Sequence, residues 1–480
     1  MKRIAKINIL LLLLFCAQTA FSQHAKKELP HAKAGPQTSP VSNYSIFNIN
    51  NMSLRLFANG HINQSLSDRD AIVYPRGKTG AVYSAGFLWG GRVLDGDPSK
   101  PPIRVGGQTY AASTIPGPIV QSGPNPVPGT TDFPVYRIRR DWQSLTGSRL
   151  EILRDAADIF EVELSEVTPQ QAQQILDQYA SDWANWPVYL GAPYEDLNGN
   201  GSYERGIDRP GIAEADQVLW TVCNDLDTSL TLPYYGAPPI GLEMQVTIWG
   251  YARPNSALNE MLFQRYRLIN KSGFPIDSMF IGQWADGDLG RFTDDFIGVD
   301  STRDMIYIYN GRSTDAEATT FGIDPPAFGY SLLQGPVVIA PNDTAVINFD
   351  RISGYKNKRM TSSSYFAFSS VPFTPPPFGD YKRTEVFYNL LNGYLPFDWQ
   401  TPPSSWFVGY GPGRGNSTFF PLSGDPVSNE GDIDGFGDNL PPGDRRQSLH
   451  SGPFSMQPGE MQEVIIAAIG GLGGSHLESI

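Results

Sequence analysis

Cysteine is nearly missing from this chain: Cys16 and Cys223 are the two in 480 residues. Cys16 lies in an N-terminal segment with the marks of a secretory signal, so its removal leaves Cys223 without a partner for an internal disulfide. In "LWTVCND", after a largely apolar run, Cys223 reads as a small buried hydrophobe rather than a nucleophile. Histidine is also sparse, and His24, His31, His61, His450 and His476 are scattered. With no H-E-x-x-H pair and no G-x-S-x-G elbow, the common zinc-protease and serine-hydrolase signatures are missing. "GYGPGRGNS" is rich in glycine but has no Lys-Ser/Thr pair and no following helix, which excludes it as a phosphate cradle.

Positive charge is the minority: 36 Lys and Arg face 49 Asp and Glu, for a formal charge of −13. Such a surface repels nucleic acid and anionic membranes, so neither is an expected partner, and it suits hard divalent cations. Long apolar runs are missing too, apart from residues 9–15 in "MKRIAKINILLLLLFCAQTAFSQ", which are too few to span a bilayer. Lys2, Arg3 and Lys6 precede that run and Ala20 and Ser22 follow it, the pattern of a signal peptide (1–22) cleaved before Gln23. The expectation is a secreted or outer-surface protein with no membrane insertion after cleavage.

Residues 23–42, poor in large apolar side chains, read as a flexible leader. Strand patterns begin with "MSLRLFANG", where Met52, Leu54 and Leu56 alternate with Ser53 and Arg55. "AVYSAGFLWGGRV", "IRVGGQTYAAS" and "FPVYRIRRDW" continue a β-rich N-terminal domain over 43–147, while 114–131 is too rich in Pro and Gly for a central strand. A helical connector is expected over 148–235. Thr168 caps a helix with Pro169 at its first position, and Ala172, Ile175, Leu176, Tyr179 and Trp183 form its apolar face. A second helix is expected over 148–157. From 236 to 480, short aromatic and β-branched runs such as "EMQVTIWGY", "MLFQRYRLIN" and "DMIYIYNG" return, separated by turn residues and by long Pro/Gly-rich excursions. The expected fold is mainly β, with antiparallel sandwich-like domains and a short helical insert. "SGPFSMQPGEMQEVIIAAIGG" reads as two strands joined at Pro458-Gly459; the closing "SHLESI" reads as the opening of a helix, so the natural chain is expected to continue.

The best local motif is "DLNGNGSYERGID". Alternate side chains of a tight calcium loop converge on one ion, and here Asp196, Asn198 and Asn200 fall at positions 1, 3 and 5, with Gly201 at the sharp turn. The Ser202 carbonyl and Glu204 follow at positions 7 and 9. Ile207 occupies position 12, where an EF-hand needs a bidentate acid, and Asp208 comes one residue late. The expectation is a structural calcium loop of the shorter exported kind, with an affinity of roughly 10⁻⁴ M, ligated by Asp196, Asn198, Asn200, Ser202, Glu204 and Asp208; the bland alternative is a solvated Asn-Gly turn. Asp286, Asp288, Asp294, Asp295 and Asp300 form a second acidic cluster, read first as strand-end caps and otherwise as metal ligands or an acid/base pair for glycoside hydrolysis. Asp432, Asp434 and Asp438 are read chiefly as a loop of Gly and Asp.

The string "GAVYSAGFLWGGRV", "IRVGGQTY", "LGAPYEDLNGNGSYERGIDRPGIAEADQVLWTVCNDLD", "PIGLEMQVTIWGY", "RYRLINKSG", "QWADGDLG" and "SGPFSMQPGEMQEVIIAAI" resembles a group of large bacterial exported proteins. They often carry fibronectin-type modules and a C-terminal type IX secretion sorting domain, which this chain lacks. The resemblance implies export and surface attachment but brings no activity. The functional expectation is a non-catalytic adhesive or scaffolding protein, with extracellular polysaccharide or cell-surface components as partners. The alternative is a carbohydrate-binding or glycan-cleaving protein using exposed aromatics and the Asp286 to Asp300 cluster.

Overall fold

Alternation along Met261–Asn270 sets the architecture. Leu262, Gln264, Tyr266 and Leu268 are fully buried on one face, whereas Phe263, Arg267 and Ile269 on the other are only partly covered. The computed structural model, which describes residues 44–65, 69–367, 379–397 and 400–480, places this strand between Leu242–Gly250 and Met461–Gly471, in a nine-stranded antiparallel sheet. The expected signal and leader lie outside the described residues. A ten-stranded antiparallel sheet, built around Ser84–Val93 and Ile276–Gly287, shares one hydrophobic core with the first. Phe87 and Tyr266, one from each sheet, stack with ring centroids 4.2 Å apart. The protein is mainly β, as the runs of alternating residues predict.

The boundaries expected at 147 and 235 do not divide the sheets. Ser84–Val93 pairs with Ile276–Gly287, Tyr136–Arg139 pairs with Gln217–Asn224, and Ser42–Ile480 forms one compact unit. Local pattern locates strands but not their partners, because pairing over 190 residues leaves no periodic trace in the chain. The Pro458-Gly459 turn shows the same thing. It joins Arg445–Met456 to Met461–Gly471 as expected, with Gly459 in the left-handed region, but the first strand lies in the larger sheet and the second in the other.

The Thr168 cap forms as read: its hydroxyl accepts the Gln171 N–H at 3.2 Å and the Gln171 side chain returns to the Thr168 N–H at 2.8 Å, opening the helix Pro169–Ala184. Ala172, Ile175 and Tyr179 are buried, and Leu176 and Trp183 are half-buried. The second helix runs Leu150–Phe160 and packs on the same cluster. Further helices were not expected, among them Thr228–Tyr235, Tyr381–Leu391 and the short Ala316–Thr320. Pro233 hides Thr228–Tyr235 and the preceding Pro-rich run hides Tyr381–Leu391, although Val386, Phe387, Leu390 and Leu391 have helical spacing and are buried. Among the described residues no helix is long and apolar enough to cross a membrane.

A buried polar network ties the helices to the sheets. Asp155, fully buried, pairs with Arg137 and accepts the Tyr179 hydroxyl at 2.6 Å. Gln217 donates to Asn48 at 3.2 Å and to the Tyr179 oxygen at 3.1 Å. Beside it, Asp182 accepts the Arg137 N–H at 2.7 Å and the Gln178 amide at 2.7 Å, and burial pushes its carboxyl up to about 7.

Two measurements check this account. In urea unfolding, Thr168→Ala loses about 1 kcal/mol, the usual worth of a cap, and Phe87→Ala loses about 3–5 kcal/mol, the usual cost of emptying an aromatic site. A carboxyl with a raised folded-state pKa contributes stability that is full below its ordinary value of 3.8 and fades as pH rises through about 7. The stability of the wild type relative to Asp182→Asn therefore falls between pH 4 and pH 8 and is flat above it.

Candidate functional site

The loop after Tyr194–Glu195 is closed by a two-stranded ladder with Arg209–Pro210. Between them Gly199 and Gly201 take left-handed φ values of 70° and 75°, which turn the chain tightly enough for the Asp196 carboxylate to accept both their N–H groups, each at 2.7 Å. The Gly201 N–H is the main reason the Asp196 carboxyl sits below its ordinary range. Asn198 Oδ1 accepts the Asn200 N–H at 3.1 Å, and Asn200 Oδ1 accepts the Ser202 N–H at 2.8 Å. The two amide nitrogens meet on one oxygen, Glu204 Oε2, at 2.6 and 2.7 Å.

Of the expected ligands, Asn198, Asn200 and Glu204 thus come together, with Asp196 folded onto the same turn. Both amides turn their nitrogens to Glu204 and their oxygens to the backbone, so the loop is held by hydrogen bonds among the residues expected as ligands. Asp208 has a different task. It is buried and spends its two oxygens on the N–H groups of Leu197 (3.0 Å) and Glu204 (2.7 Å), clamping the loop from behind. Ser202 enters these bonds through its N–H.

The second acidic cluster divides. Asp286 and Asp288 gather with Asp444, their carboxylate oxygens within 4.8 Å of one another. Arg446 occupies that corner, its Nε 3.2 Å from Asp286 and its Nη1 2.7 Å from Asp444. Burial, with the two neighbouring carboxylates adding to it against the pull of Arg446, pushes the Asp286 carboxyl well up. Asp295, fully buried, accepts the Leu289 N–H at 3.1 Å and is also pushed well up by burial. Asp294 lies 3.9 Å from Arg312 and opens onto a polar hollow of about 560 Å³. Asp300 stands at the other end of its strand, about 17 Å along at 3.4 Å per residue, capping Thr302 and pairing with Arg303. The Gly-Asp loop is structural: Asp432 accepts N–H groups from Gly409, Tyr410 and Leu422, Asp434 holds Arg445 with two bonds, and Asp438 pairs with Arg414. Cys223 is fully buried and its thiol is pushed up by burial, as a core residue's should be.

What sequence reading missed is a cleft of about 1080 Å³ on the outer face of the nine-stranded sheet. Trp249, Tyr251, Phe263 and Phe349 line it together with Arg265 and Arg267, and Asp196 and Gly201 of the calcium-type loop reach it as well. Trp249 and Phe263 stack at 5.3 Å, and Phe349 meets Trp249 edge-on at 6.2 Å. The signal was present in "QRYRL", where arginines alternate with core residues on a strand, but nothing local says which face is open. No protein-family model matches the chain, and no curated protein matches it significantly.

The loop reading has a direct test. An ion bound only to the native state at a hundredfold excess over its Kd adds about 2.7 kcal/mol. Thermal unfolding in 10 mM calcium should therefore exceed that in chelator by several degrees, and Asp196→Ala should remove the difference. Identical midpoints in both buffers would exclude the ion.

Proposed function

We propose that this is an exported or outer-surface protein of the type IX secretion kind that acts by binding, an adhesive or scaffolding component whose loop is stapled by calcium. The observation that carries the reading is the cleft: an open, aromatic-walled volume large enough for several sugar rings, set on a rigid sheet beside the calcium-type loop. Half-buried Tyr251 and Phe263 and half-exposed Phe349 offer flat apolar faces to such rings. Extracellular polysaccharide is the proposed partner class. The acidic charge of the chain disfavours nucleic acid.

A glycan-cleaving reading rests on a different observation. Burial pushes the Asp286 carboxyl well up, and an oxygen of Asp288 lies within 4.8 Å of it, so two acidic groups of unlike environment meet as an acid/base pair requires. The Arg446 ion pairs count against it, since they engage Asp286 and Asp444 within the protein.

Binding of the purified chain to a panel of extracellular polysaccharides separates the two. Binding without turnover, weakened fivefold or more in Tyr251→Ala and in Phe349→Ala at an unchanged thermal midpoint, is the expected result. Full affinity in both variants would move the site elsewhere. New reducing ends that disappear in Asp288→Asn would establish cleavage instead.

A further inference from the structure

Arg265 is the one residue of the cleft whose chemistry the fold leaves incomplete. It is 1 % exposed, yet its Nε and Nη2 have no hydrogen-bond partner among the described residues. Its Nη1 lies 3.7 Å from Glu463, beyond hydrogen-bond reach. Glu463 is already served by Arg267 Nε at 2.8 Å, Gln334 Nε2 at 3.0 Å and the Asn348 N–H at 2.7 Å. One buried carboxylate is thus shared by two guanidinium groups, and a positive charge remains over. Burial pushes the Arg265 guanidinium down to about 9, the mark of a cation held out of water.

The open edge is the informative part. Nε and Nη2 form the fork of a guanidinium that grips two coplanar oxygens at once. Elsewhere in this chain the same edge holds a carboxylate: Arg139 on Asp141, Arg414 on Asp438 and Arg445 on Asp434. In Arg265 it holds none, and the guanidinium lies over the ring of Phe349, whose centroid is 5.6 Å from the guanidinium carbon. Phe349 is 53 % exposed and sits at the tip of the hairpin Val337–Ile347 and Asp350–Asn357, which pairs with no other strand among the described residues. Asn348 and Phe349 both have left-handed φ, 52° and 64°. Asn-Gly is the pair that suits such a turn, so an aromatic residue at its second position is held there at a conformational cost.

We infer that the Nε/Nη2 edge of Arg265 receives the carboxylate of an acidic, uronate-type saccharide bound in the cleft, with Phe349 as its movable cover. The inference rests on the cleft being the binding site proposed above. Charge complementarity selects the acid group, and the aromatic walls select a ring-bearing body over a bare anion.

Calorimetric titration of the whole chain with trigalacturonate and with its methyl ester tests this. The acid should bind at least tenfold more tightly than the ester. Arg265→Met should remove that preference with a thermal midpoint unchanged or higher, because Glu463 keeps its three donors and an unpaired buried charge is lost. Arg265→Lys, which keeps the charge without the fork, should lose most of the preference. Phe349→Gly, which suits the turn, should keep it. Equal affinity for acid and ester overturns the inference and leaves the cleft as a glycan site, whereas no binding of either removes the cleft reading as well. Tighter binding of triglutamate than of trigalacturonate, an acid preference that survives in Arg265→Met, or a midpoint several degrees lower in that variant each overturns it too.

Discussion

Phe87 stacked on Tyr266 is one of the contacts at which the two long sheets meet, and the largest hydrophobic core lies around it. Among the described residues Cys223 is buried and free, so no disulfide cross-links them. Stability must then come from apolar faces closing on each other, at about 1.5–3 kcal/mol for each large side chain removed from water. That demand explains the interleaved topology. Strands from the first hundred residues and from the last fifty are needed in the same sheet to give each face a continuous cover.

Carboxylates then tie distant segments together through backbone N–H groups and arginines. Asp225, fully buried, gathers the N–H groups of Ile240, Gly241 and Leu242, each at 2.9 Å, and closes the segment between them. Asp432 pins three stretches of the irregular region after 400, and Asp155 locks the helical pair to Arg137. Each is costly to bury unless fully bonded, so these contacts specify where loops and helices sit more than they add net stability. Part of the acidic complement of the chain is therefore internal architecture.

The cleft follows from the same sheet. The residues of Met261–Asn270 that point away from the core, Phe263, Arg265 and Arg267, face the segment bearing the calcium-type loop on one side and the Asn348-Phe349 hairpin on the other. Glu463 on the neighbouring strand joins them, bonding Arg267, Gln334 and the hairpin tip together. A rigid floor with a hairpin attached by few bonds is a reasonable design for holding a large ligand, since the precise groups sit on the sheet and the adaptable one sits at the turn.

Local features of the sequence determined what short-range physics controls: the mainly β class from residues alternating as in "MSLRLFANG", the capped helix from Thr168 and Pro169, and the tight turns of "DLNGNGS" from Asn and Gly. The convergence of Asn198, Asn200 and Glu204 was legible because these residues lie within a few positions of one another in a tight turn. Asp208, expected as a ligand, accepts the N–H groups of Leu197 and Glu204, an arrangement that spacing does not reveal because it depends on how the flanking strands pair. Only the tertiary structure decided that Asp286 and Asp288 meet Asp444 and Arg446, that the expected domains share their sheets, and that Arg265 lies under Phe349 with its fork open. Those outcomes depend on contacts between residues 80 to 200 positions apart, where hydrogen-bond register and burial, not sequence period, choose the neighbours.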